Sequence, residues 1–91
     1  MLSDLTAAAQ AALASPILAL AEEHIGQALL ARRRSEEDEW AFATTYGPRC
    51  TMWYEAGRAG GLLRALRELG LWSARAEELW LQLQVSGWTQ G

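Results

Sequence analysis

The 91-residue chain has no lysine, one cysteine and one histidine. Each shortage removes a class of answer. Cys50 alone cannot form an internal disulfide, and Cys50 with His24 is too small a set for a Cys/His metal site. The stretch GRAGG at 57–61 lacks both the spacing and the lysine of a P-loop. Glu22-Glu23-His24 does not have the Glu-x-x-His spacing of paired-helix diiron sites. No catalytic residue, metal or cofactor is therefore assigned, and the chain reads as non-enzymatic. His24 reads as a partly buried structural residue, and Cys50 as a packed small one.

Basic charge is also scarce. Eight arginines face eleven acids, for a net charge of −3, which argues against nucleic acid as a partner. No apolar run reaches the length of a membrane span. Ala11 to Ala21 is weakly apolar, but Asp4 and no base precedes it, unlike a secretory signal. A cytoplasmic protein without membrane contact is expected.

What is present is alanine, leucine and an excess of tryptophan. A chain this short buries only about 60–65% of its unfolded surface. Without a disulfide or metal, another protein or a second copy of the chain is the expected stabiliser. The pattern predicts one all-α domain over residues 1–91, a bundle of four to six short helices. Residues 1–15 are expected to attach loosely, and 86–91 to form a flexible tail.

The first segment runs from about Asp4 to Ala14, capped by Ser3 or Asp4. Ser15-Pro16 has the Ser-cap, Pro-first signature of a new helix, or else kinks one long helix. Ile17, Ala21, His24, Ile25, Ala28 and Leu29 then form an amphipathic stripe. The polar run RRRSEEDE at 32–39 suggests a break near Ser35, because arginines suit a helix end and acids a helix start. One uninterrupted helix is the alternative. A third segment, Glu36 to Tyr46, carries Trp40, Phe42, Ala43 and Tyr46 and ends at Gly47-Pro48.

The stretch WYEAGRAGGLLRALRELG at 53–70 holds three glycines that would each cost about 1 kcal/mol inside a helix. A hairpin avoids most of that cost. One helix from Arg49 to Ala56 would stop at Gly57, and a second would start near Ala59 and stop at Gly70. A last helix from the cap Ser73 to about Ser86 is expected, although Leu79 to Val85 also alternates as a strand would.

Trp40, Trp53, Trp72, Trp80 and Trp88 are many for so small a domain, and tryptophan concentrates at interaction hot spots. Three are expected in the core, and one or two near the C-terminus in a groove for another protein. A helix-turn-helix reading of 62–86 fits in length. Its second helix, however, sets Arg75 against Glu77 and Glu78, and acids repel phosphate.

Trp53, Tyr54 and Gly57 in a helix–turn–helix layout resemble a tetratricopeptide unit, with Leu62, Leu66 and Leu69 following. Residues 48–70 are similar to the C-terminal part of the tetratricopeptide-like type III secretion chaperones of the YscG/EscG type. The resemblance implies a C-terminal helical hairpin plus one helix, and a cytosolic co-chaperone that clasps an amphipathic helix. Helix-in-groove binding needs spaced apolar anchors. The groove residues would be Trp53, Leu62, Leu66, Trp72, Leu79, Trp80 and Leu83. Other readings are a phage-type inhibitor or adaptor docking on a folded host protein and, third, a DNA-binding regulator.

Overall fold

The computed structural model describes residues 6–37 and 48–89. Among them are three helices and no strand: α1 (Ala7–Glu37), α2 (Pro48–Glu68) and α3 (Ala74–Val85). The chain is all-α, with fewer and longer helices than the expected four to six. The expected third segment lies almost wholly outside the described residues, as do the caps Ser3 and Asp4. Thr6 caps α1 instead, its hydroxyl accepting the Ala9 N–H at 3.1 Å.

Three expected breaks are absent. Pro16 lies inside α1. An interior proline removes one hydrogen bond and costs about 3 kcal/mol. Here Pro16 and Ala12, whose carbonyl loses its donor, both face solvent, so water can replace that bond. The helix also continues through Ser35, which is buried rather than capping. Its hydroxyl donates back to the Arg32 carbonyl at 2.8 Å, the way a serine is satisfied within a helix. Finally, α2 runs through Gly57, Gly60 and Gly61 without a turn, so the hairpin expected there does not form.

Packing explains this continuity. Ala14, Ala21, Ala28 and Ser35 recur every seven residues and are all buried, with Ile25 beside them. On α2, Met52, Ala59 and Leu66 repeat the same interval, with Ala56 and Leu63 between. Two seven-residue stripes make the seam of a coiled coil. The end of α2 lies near the start of α1, since Gly70 and Leu71 share a groove with Ala7 and Ala11, so the pair is antiparallel. Splitting either helix would interrupt its stripe.

Seven of the fifteen buried apolar residues are alanine, which keeps the core thin. The radius of gyration is 15.2 Å, against about 12 Å for a compact chain of this length. Half-buried His24 on α1 bonds through Nδ1 to Glu55 on α2, a polar tie beside the seam. Among the described residues no buried side-chain polar atom lacks a partner.

The ends of α2 and α3 use one device twice. Gly70 has φ +74°, the Leu71 N–H reaches the Leu66 carbonyl at 2.8 Å, and the Gly70 N–H reaches Arg67 at 3.1 Å. This is a Schellman motif, and it sends Leu71 into the core. After α3, Gly87 has φ +78°, Trp88 N–H bonds to Leu83 at 2.9 Å and Gly87 N–H to Gln84 at 3.0 Å. Trp88, in the stretch read from sequence as a loose tail, thereby packs against the core. Between the two motifs Ser73 caps α3 as expected, accepting the Ala76 N–H at 3.2 Å, and 79–85 is helix rather than strand. No helix among the described residues is long and apolar enough to cross a membrane.

The seam should be the most sensitive part of the fold. Leu63→Ala is expected to cost about 2–5 kcal/mol in urea unfolding, whereas Leu20→Ala, at an exposed site on α1, should stay within about 0.5 kcal/mol.

Candidate partner-binding groove

Gly57, Gly60, Gly61 and Arg64 are spaced i, i+3, i+4, i+7, the interval of one helix face. They lie beside the stripe that packs on α1 and, with Ala56 of that stripe, they floor a groove of about 430 Å³. Its walls are tryptophans. Trp53, one turn before Gly57, stands half-exposed at one edge. Trp80 from α3 and Trp88, turned back by Gly87, form the other side.

The glycines do not serve packing inside the chain. A Cβ built on Gly57, Gly60 or Gly61 meets nothing within 4 Å. The sequence reading as hinge and close-packing positions therefore fails: α2 has no hinge, and nothing among the described residues approaches. The result is a strip of helix backbone laid open across two turns.

Arginines gather on the same tryptophans. The Arg64 guanidinium carbon lies 5.8 Å from the Trp80 ring centroid, and that of Arg67 lies 5.2 Å from Trp80 and 4.5 Å from Trp72. Arg32 of α1 lies 5.1 Å over Trp88. Trp72 and Trp80 meet edge to face at 6.3 Å, and the Trp72 indole N–H donates to Glu77 at 2.8 Å. Cation–π contacts of this kind hold a guanidinium in place through the ring quadrupole.

A second groove of about 480 Å³ lies between the start of α1 and the 70–75 turn. Four alanines line it with Leu18, Leu71 and Trp72, and so do Glu22 and Arg75, which form an ion pair at 2.9 Å. Arg75 also holds Glu78 at 2.8 Å. Hydrogen bonds to Glu78 and then Glu22 push its pKa above the ordinary arginine value. As the one base on α3, Arg75 is thus engaged with carboxylates on both sides, which leaves a DNA-reading helix no unpaired basic group.

The seven groove residues expected from sequence separate. Leu66, Leu79 and Leu83 are fully buried, and Leu62 packs against the core. Trp53 and Trp80 do come together in the glycine-floored groove, while Trp72 lines the second one. Among the described tryptophans Trp80 is buried and Trp72 and Trp88 are partly buried against the core, while Trp40 lies outside the described residues. Cys50, read as packed, is exposed. Among the described residues no three metal-ligating side chains gather. The sequence reading missed the glycine floor, Arg64 and Trp88 as groove components. The i, i+3, i+4, i+7 spacing was the available signal, and treating the glycines as a turn hid it.

No protein-family model, curated protein or solved structure matches this chain.

Because the glycines face open space, replacing them should help the fold. The Gly57→Ala, Gly60→Ala, Gly61→Ala triple variant is expected to gain about 2–3 kcal/mol in chemical unfolding. A loss of stability would mean that the chain itself needs those positions bare.

Proposed function

We propose that this protein is a non-catalytic protein-binding module that receives a helix of another protein in the glycine-floored groove. The observation that carries this reading is the run of three glycines on one face of α2 that no contact among the described residues requires. They weaken the helix by about 3 kcal/mol in total, yet they leave its backbone bare between tryptophan walls. Bare backbone is useful where another backbone must come close. Helices pack at 8–10 Å between axes depending on the side chains between them, and glycine brings that separation to its lower end. Half-exposed Trp53 at the rim is the kind of large, rigid side chain that dominates binding energy once covered.

The narrower reading is a secretion-type co-chaperone that clasps an amphipathic helix. The helix-in-groove mode supports it. Of the residues that carry the resemblance, Trp53 to Leu66 lie along one continuous helix and Leu69 in the turn after it, so the tetratricopeptide-like hairpin adds no support. A cytoplasmic site of action belongs to this narrower reading.

A photo-crosslinker tests the module. With p-benzoylphenylalanine in place of Trp53, expressed in cells of the source organism, one discrete adduct is expected. It should disappear when Gly60→Leu fills the groove, and it should be absent when the crosslinker replaces Gln27 on α1. An adduct that survives Gly60→Leu, or none from position 53, would overturn the reading.

A further inference from the structure

We infer that the helix received by this groove is acidic, carrying carboxylates that meet arginines already stacked on the groove's tryptophans. This inference rests on the docking reading above and names the chemistry of the partner.

The chain as a whole has eleven acids and eight arginines. A groove drawn at random on it would be edged by carboxylate. One arginine lines the observed groove, and two more stack on its tryptophans. Arg64 lines it, Arg67 follows three residues later on the same helix, and Arg32 sits over Trp88 in the opposite wall.

Among the described residues none of these three guanidinium groups forms an ion pair. Acids are close in sequence. Glu68 stands four residues after Arg64, and Glu36 four after Arg32, and neither closes. Other carboxylates are already engaged: Glu77 accepts from Trp72, Glu22 and Glu78 hold Arg75, and Glu55 holds His24. The contrast with Arg75, which takes two carboxylates, separates arginines that serve the fold from arginines left open.

Stacking on an indole anchors a guanidinium without using its N–H donors. Those donors remain available in a fixed fork that fits a carboxylate in two-pronged fashion. Arg64 and Arg67 are one turn apart, so a partner helix with acids three or four residues apart presents the matching spacing. The bare glycine backbone lies one turn before Arg64 on the same helix, and takes the small or apolar ridge of the partner helix. A polyanion such as duplex DNA fits less well: three open arginines on a molecule of net charge −3 give little counterion release against general repulsion.

The test uses a phage-displayed library of helical peptides about 20 residues long, with surface positions randomised. It is selected on the full-length protein at about 150 mM salt. The selected peptides should be enriched in Glu and Asp at positions three or four apart beside a small residue. Their affinity should fall at least about tenfold on Gly60→Leu and on Arg64→Glu with Arg67→Glu. The charge-reversed protein, used as bait, should select Lys and Arg instead. Arg32→Glu provides the same readout from the other wall if the double reversal melts markedly lower than the parent. Peptides that need Gly60 bare but show no acidic enrichment would overturn the acidic partner and leave the docking groove standing. Peptides indifferent to Gly60→Leu, or no selection at all, would remove both. A 20-base-pair DNA duplex binding as tightly as the best peptide would assign the arginines to phosphate instead.

Discussion

The α1–α2 seam holds the molecule together. Ala14, Ala21 and Ala28 meet a face of Ala56, Ala59, Leu63 and Leu66, and small side chains let the two helices close on each other. An alanine buries little surface, so the seam works through length and regularity rather than bulk. It spans most of a 52 Å molecule only 18–23 Å across. Everything else is attached to this rod: α3 lies against both helices, and Trp72, Trp80 and Trp88 close its edges.

The seam also explains which features could be read in the sequence. Local signals with a single physical meaning were legible. Gly70 stops α2 in the left-handed conformation, Ser73 caps α3, and Leu79 to Val85 is helical because nothing exists to pair with it as a strand. Signals that propensity and packing pull in opposite directions were misread. Pro16 and three glycines together disfavour unbroken helices by about 6 kcal/mol, which is comparable to the whole stability of many domains. Breaking the helices was therefore the reasonable expectation. A seven-residue repeat that buries both flanks of each break reverses that balance. The repeat was visible in Ala14, Ala21, Ala28 and Ser35, but the stripe read from sequence ran only from Ile17 to Leu29 and left out Ala14 and Ser35, which flank it.

The groove shows the same division. Tryptophan excess pointed to an interaction surface, and Trp53 and Trp80 do face one cavity. Leucines at helical spacing pointed to the same surface but belong to the interior: Leu66, Leu79 and Leu83 have no free face. Sequence spacing identifies an apolar face without saying whether the rest of the chain covers it. Side chains that are missing gave the better signal. Glycines repeated along one face mark a place where the helix leaves its own surface uncovered, and the arginines around them hold to aromatic rings rather than to the chain's plentiful acids.

Trp88 is the last feature with a wider consequence. Its position depends on one backbone torsion, the positive φ of Gly87, which both ends α3 and swings the indole back to form a wall. Helix termination and cavity shape are thus a single switch point in the polypeptide. A branched residue there would alter the architecture of the recognition surface while leaving every helix intact, so the depth of that surface can evolve independently of the scaffold beneath it.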